Sequence, residues 1–364
     1  MRAVWIARAG GPEVLEVRET PEPSPGPGEV RVRVRVAGLN FAEVMARQGL
    51  YPDAPRLPCV MGYEVAGVVE AVGQGVGEGV AAPAPGTRVL ALTRFGGHAE
   101  AVCLPARQAF PMPDSMSFEE GAALPVNYIT AWHMLFRVAA LRPGEAVLVH
   151  MAAGGVGIAA LQLCRTVPGV VTFGTASAGK HEVIRREGCD HPIDYRAADW
   201  EAEVRRLSGG RGVDVVLDPL GGRDTRKGYR LLRPAGRLVM FGFANVLSGS
   251  RRSWLRLAGQ ALGIPLFNPI SLMNANKAVA GVNIGHLWGE AEMLMGEVRQ
   301  LVALYRDGKI RPRVGRGLPL RSRRRRPPPH RGAAQRGEGA APAVSGYPAP
   351  AARARNSTAR CSAQ

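Results

Sequence analysis

Cysteine is scarce in this chain of 364 residues: Cys59, Cys103, Cys164, Cys189 and Cys361 are the only five. They are scattered and odd in number, and no two form a C-x-x-C pair. Neither a disulfide framework nor a cysteine-rich zinc site is implied; thiols in a reducing compartment are the expectation. No run of eighteen or more apolar residues exists, so no segment is expected to span a membrane as a helix. Met1 to Ile6 lacks the basic-then-apolar layout of a signal peptide. A cytoplasmic protein is expected. Lysine is also rare, with four among 47 basic residues. Acids number 30, leaving a net charge of +17. That excess suggests a nucleic-acid binder only if it is spread over a folded face. Instead, residues 321–364 hold ten arginines against one acid, Glu338. Half the excess sits in one odd segment, and nucleic acid is not the expected partner.

What is present is ample apolar residue, 46% of the chain, enough for about two domains. Residues 1–122 read as β-rich. Val30 to Val36 alternates valine with arginine, as a strand with one wet face does. Tyr63 to Val72 and Arg88 to Leu92 are further strands, and Gly73 to Gly86 is a Gly/Pro-rich turn. Such punctuation suggests a partly closed barrel. Phe41 to Gln48 is a short helical pattern. From about residue 123 the period changes. Strands at Ala146–Met151, Val170–Phe173, His191–Tyr195, Val213–Asp218 and Arg237–Phe241 alternate with helical segments. Lys277 to Asn283 reads as the last strand. The alternation predicts an α/β domain over 123–285, a doubly wound parallel sheet with helices on both faces. Glu290 to Asp307 is a long amphipathic helix.

The loop Ala152-Ala153-Gly154-Gly155-Val156-Gly157 follows a strand and opens a helix, as a dinucleotide fingerprint must. Gly154 lets backbone approach a pyrophosphate, and Gly157 permits close helix–strand packing. The helix N-terminus offers free N–H groups to phosphate. A tight structural turn would read similarly in isolation; the strand–helix rhythm around it favours a cofactor. Cofactor choice is set about 20 residues on, where an NAD site places an acid. Here Thr175, Ser177 and Lys180 stand in Gly174–Lys180, and no acid does. Two hydroxyls and a lysine suit a 2′-phosphate, so NADPH is expected. The alternative for Lys180 is a solvated lysine at a helix start.

Gly62-Tyr63-Glu64, Asn40-Phe41, Gly49-Leu50-Tyr51-Pro52 and the glycine loop resemble the zeta-crystallin-type quinone oxidoreductases, zinc-free medium-chain dehydrogenases/reductases. Val149-His150-Met151, Gln162 to Thr166, His191 to Tyr195 and Asp218 to Gly222 are similar to the subgroup of the synaptic vesicle membrane proteins (vesicle amine transport proteins). The likeness runs from residue 1 to about 320. It implies a GroES-like catalytic domain over 1–122, a Rossmann domain over 123–285, and a return to the catalytic domain from 286. It also implies hydride transfer from NADPH to a quinone or an α,β-unsaturated carbonyl, and a homodimer. The alternative is a catalytically weak NADPH-binding protein with a vesicle-associated role. Asn40 stands where zinc alcohol dehydrogenases carry a catalytic cysteine, and Tyr63 where they carry a histidine, so no zinc is expected. His98, His133 and His286 are not at ligand spacing. By the same resemblance, Asn40 and Tyr51 line the nicotinamide and substrate cleft as catalytic candidates. Tyr51 would bond the carbonyl oxygen, unless it is a structural loop tyrosine. Thr130 and Asn283 would border the nicotinamide, and Tyr195 the adenosine. Ala153 to Gly157 would hold the pyrophosphate. Phe241, Gly242 and Phe243 follow the strand that faces the nicotinamide.

Gly317-Leu318-Pro319-Leu320 fits the start of the family's closing turn, helix and strand. Arg321 then opens an Arg/Pro/Ala segment with no apolar period, expected to be disordered. We read 321–364 as a shift of reading frame in a GC-rich gene. The alternatives are a nucleic-acid-binding arm or an adapted C-terminus. The expectation is a first-domain sheet that lacks its closing strand.

Overall fold

The computed structural model describes residues 1–76, 82–247, 263, 265–319 and 343–346. The first domain begins with β1 (Arg2–Ile6) and β2 (Leu15–Glu19), an antiparallel pair that also meets β4 (Cys59–Val60). Its main sheet is built on β3 (Glu29–Gly38), where valines at 30, 32, 34 and 36 are buried and the intervening arginines are not. That alternation makes β3 a hub. It pairs antiparallel with β5 (Glu64–Val72) along its length and with β7 (Ala101–Pro105) at its start. β6 (Arg88–Leu92) and β8 (Ala109–Pro111) extend the sheet beyond β5. α1 (Phe41–Arg47) follows β3 directly, capped by Asn40.

The second domain is entered by α2 (Phe118–Ala123) and α3 (Pro125–Trp132), which continues as one π-helical stretch, His133–Val138. Then come β9 (Ala146–Val149), α4 (Gly155–Cys164), β10 (Val171–Ala176), α5 (His181–Arg186), β11 (His191–Asp194) and α6 (Trp200–Leu207). β12 (Val213–Asp218), α7 (Arg223–Leu231), β13 (Leu232–Met240) and β14 (Ala278–Gly281) complete it. The sheet order is β11-β10-β9-β12-β13-β14, all parallel. The order reverses between β9 and β12, and ligands bind at such a switch point, beyond the strand carboxyl ends. β9 and β12 are buried on both faces, which is why they read as unbroken apolar runs.

The helix Ala291–Arg306 returns the chain toward the first domain, burying Leu294, Met295, Val298, Leu301, Val302 and Tyr305 at helical spacing. Each such apolar side chain contributes about 1.5–3 kcal/mol by leaving water. Polar groups fix the junction. Glu120 accepts from the Tyr305 hydroxyl at 2.9 Å and from Arg311 Nε at 2.7 Å. Gln162 accepts from the Tyr128 hydroxyl and from Arg311 N, and donates to Glu187 and Arg311 O.

Most of the segment 321–364 lies outside the described residues. Four of its residues are described. Ala343–Gly346 form β16, antiparallel to β15 (Arg316–Pro319) and parallel to Val36–Gly38 of β3. The free edge at the end of β3 offers backbone donors and acceptors, and this short stretch takes them.

Candidate functional site

The site is assembled from the carboxyl ends of the parallel strands. β9 ends at Val149 and leads through His150 and Met151 into the glycine turn. Met151 adopts φ +51, a left-handed conformation that costs a non-glycine residue energy. The turn closes with Gly154 N donating to Met151 O at 2.8 Å. Gly154 caps α4 in extended conformation. A β-carbon on Gly157 would sit 2.5 Å from Met151 O and 2.7 Å from Ala152 Cα. One on Gly155 would sit 2.7 Å from Cγ of Asn127 on α3. The turn therefore exists in this shape only without a side chain at 157, and one at 155 would have to displace the Asn127 amide. It presents the N-terminus of a 10-residue helix to the crevice, a cradle that fits a dinucleotide pyrophosphate.

The other expected cofactor residues follow the same rim. Ser177 and Lys180 come after β10, with Lys180 exposed. Tyr195 follows β11, half-exposed, with its ring 5.7 Å from the Arg196 guanidinium. Phe241, Gly242 and Phe243 follow β13, where Phe241 N donates to Asp218 O. The exposed Phe243 ring packs over Gly221. Thr175 is placed differently from the expectation. It is buried, and its hydroxyl lies 3.0 Å from His150 Nδ1. It ties β10 to the end of β9 instead of facing a phosphate. Asp218 is likewise buried and structural: it accepts from Leu220 N, Gly221 N and the Thr225 hydroxyl.

From the first domain, Tyr51 reaches the turn Asn283–His286 of the second, its hydroxyl beside Gly285. Asn283 Oδ1 accepts from Gly285 N and shapes that turn. His286 Nε2 lies 2.8 Å from Asp53 Oδ2, so the two domains are pinned beside Tyr51. Asn40 is only 7% exposed. Its amide nitrogen donates to Glu64 at 2.9 Å, and its backbone N donates to Glu43 at 2.6 Å. Its side-chain donor is thus engaged inside the domain, which differs from the expected cleft-lining role. Thr130 is half-buried and donates back to Val126 O at 2.7 Å.

Behind Tyr51 lies a buried cluster. Glu64 accepts from Asn40 and from Val126 N at 2.7 Å, yet burial outweighs both bonds and pushes its carboxyl up to about 8. Burial also raises Glu43, against the opposing effect of His98, whose Nε2 is 3.6 Å away. Burial raises the Tyr51 and Tyr63 phenols. Glu43, Glu64, Asn127, Arg196 and the Asp53–His286 pair were not singled out by the sequence for a role in the site. Gly62-Tyr63-Glu64 carried a signal, but only as a family mark. Arg196 stands next to Tyr195 in the chain, and the others depend on contacts between residues far apart. Among the described residues, no group of three or more His, Cys, Asp or Glu is placed to hold a metal ion.

Residues 26–114 match the family described as alcohol dehydrogenase GroES-like domain, and 155–299 the one described as zinc-binding dehydrogenase. The chain is 53% identical over 277 residues to the mouse (Mus musculus) synaptic vesicle membrane protein VAT-1 homolog, covering 76% of this chain and 67% of that one. The crystal structure of the human VAT-1 homolog-like protein superposes with a TM-score of 0.72 at 40% identity, over 86% of this chain and 89% of that one. Escherichia coli quinone oxidoreductase complexed with NADPH superposes with a TM-score of 0.73 at 28% identity, over 85% and 89%. No helix among the described residues is long and apolar enough to cross a membrane. With its GroES-like domain, its Rossmann sheet and these relatives, the chain belongs to the quinone-oxidoreductase-like medium-chain dehydrogenases/reductases, in the subgroup of the VAT-1 synaptic vesicle membrane proteins.

Proposed function

We propose that this chain is an NADPH-dependent reductase that delivers hydride to a quinone or an α,β-unsaturated carbonyl without a metal ion. The observation that carries the reading is the turn with glycine at 154, 155 and 157, next to a segment after β10, 174–180, that bears Lys180 and no acid. NADPH, when bound, supplies the hydride. The glycine turn and α4 hold its pyrophosphate, and Ser177, Lys180 and Arg196 hold its 2′-phosphate. Asn283 and Thr130 border the nicotinamide. In place of a thiolate and an imidazole stand the Asn40 amide and the Tyr63 phenol, both buried behind Tyr51. Such donors suit an acceptor that is already electrophilic and needs positioning and a proton, more than Lewis-acid activation. Tyr51 gives that proton. The edge strand β14 provides the surface for a homodimer.

The reading is tested by NADPH oxidation with purified protein across simple quinones and enones. Turnover with at least one class is expected. NADPH binding without turnover across the panel would support the alternative, a cofactor-binding protein of the vesicle-associated kind its relatives' names suggest. Tyr51→Phe is expected to lower turnover by about a hundredfold or more, the lower end of the effect of a removed proton donor; unchanged turnover removes that role. Lys180→Ala should weaken NADPH by about tenfold, the worth of one charge-assisted bond, and leave NADH unchanged. Equal weakening of both cofactors would reject the 2′-phosphate assignment.

A further inference from the structure

Tyr63 is 8% exposed, and its hydroxyl is buried with no hydrogen-bond partner of good geometry. A buried hydroxyl left unsatisfied costs roughly 1–3 kcal/mol, so its presence needs a reason. Packing supplies only part of one. The ring sits with Ile6, Val14, Ala46, Cys59 and Met61 and lies 5.7 Å from Phe95. A phenylalanine would serve that cluster as well. The backbone explains the position but not the hydroxyl: Tyr63 N donates to Glu43 at 3.2 Å. The remaining neighbour is Tyr51. Tyr51 packs against the same cluster, and its phenol is, among the described residues, the one side chain with which the Tyr63 hydroxyl makes even a loose hydrogen-bond contact; Asp53 acts on both. Tyr51 in turn stands against Gly285, at the junction of the two domains.

We propose that Tyr63 is a positioning residue for the reduction: its hydroxyl turns to the Tyr51 oxygen and stabilises the charge left there when Tyr51 protonates the substrate oxygen. The inference rests on the function proposed above. The step balances. The Tyr51 O–H bond breaks and a new O–H bond forms on the substrate, whose two electrons arrive with the hydride from NADPH. The bonding pair stays on the Tyr51 oxygen. Tyr63 donates a hydrogen bond and keeps its proton. Tyr51 recovers its proton from water when product leaves. Tyr63 is suited to this because burial, Tyr51, Glu43 and Asp53 all oppose its ionisation, leaving a neutral donor beside a phenol that must briefly carry charge. The resting hydroxyl has no well-aligned hydrogen bond to any other group that it would have to give up.

The test compares the full chain with Tyr63→Phe, Tyr51→Phe and the double variant, using NADPH with 1,4-benzoquinone and with methyl vinyl ketone. Tyr63→Phe is expected to lower kcat by about tenfold to a hundredfold, the worth of a hydrogen bond to a charged group, with KM unchanged. Its thermal midpoint should be unchanged or higher, since no well-aligned hydrogen bond is lost, and NADPH binding by fluorescence titration should be unchanged. In the Tyr51→Phe background, the second substitution should have no further effect, because Tyr63 acts only through Tyr51. Four results overturn the proposal: unchanged kcat in Tyr63→Phe; unchanged kcat in Tyr51→Phe; multiplicative losses in the double variant; or a loss of kcat that tracks a fall in thermal midpoint. If the unmodified chain reduces neither acceptor, the proposed reaction fails for both classes and the inference falls with it. If it does reduce one and Tyr63→Phe behaves identically, only the inference fails.

Discussion

Gly157→Ala is expected to weaken NADPH binding about tenfold to a hundredfold and to lower the thermal midpoint, as overpacking by 1–3 kcal/mol would. One methyl group is added, at a point where the nearest atoms are Met151 O, Ala152 Cα and Ala152 C, at 2.5, 2.7 and 2.8 Å. All three are backbone. They belong to the turn that also carries the strained Met151 and the 2.8 Å bond from Gly154 N to Met151 O. Relief therefore requires moving α4 away from β9, which displaces the N–H groups that would meet the pyrophosphate. Gly155→Ala is the control. Its added methyl meets only the amide end of Asn127 on α3. A side-chain terminus can rotate away, so Gly155→Ala should retain NADPH binding within about tenfold, the low end of that overpacking range. Fluorescence titration and thermal melts of both variants check the contrast. Equal losses at 155 and 157 would mean that the turn does not owe its shape to the backbone contact.

That contrast shows where the sequence was legible. The strand–turn–helix of the glycine loop is written locally: β-branched residues, then glycine, then apolar residues at helical period. The Val/Arg alternation of β3 is equally local, and so is the last strand, expected over 277–283 and found at Ala278–Gly281. Thr175 shows the limit. β10 is covered on both faces from Thr172 to Ala176, so period-2 reasoning could not say which face the hydroxyl takes, and it faces His150. His286 looked isolated because its partner, Asp53, is 233 residues away. Asn40 was read from a family position, and only the packing of Glu64 against it shows that its amide is engaged. Ala343–Gly346 carries no period at all. Its strand comes from the open edge it meets, which belongs to another part of the chain.

Glu64 was legible only as one letter of Gly-Tyr-Glu, yet it carries a large expected pH effect. Its carboxyl is held at about 8 in the fold against an ordinary 4.5, chiefly by burial. A group whose pKa rises on folding favours the fold where it is protonated. Its contribution is full below about 4.5 and is lost as pH rises through about 8. Over that window the linkage amounts to roughly 4 kcal/mol, a large share of a domain's stability. Burial raises Glu43 as well, in the same direction. His150, buried with its Nε2 unpartnered, is pushed the other way, so below its ordinary 6.5 it penalises the fold. Glu64→Gln removes the ionisation while keeping the shape. Its oxygen can still accept from Val126 N, and its amide can donate to Asn40 once the Asn40 side chain turns its oxygen inward. Denaturant titrations at pH 5 and pH 8 should show the unmodified protein losing stability between them and Glu64→Gln losing much less. At pH 8 the variant should be the more stable of the two. A wild-type protein as stable at pH 8 as at pH 5, with Glu64→Gln weaker at both, would mean that the carboxylate is satisfied by its two donors and ionised throughout.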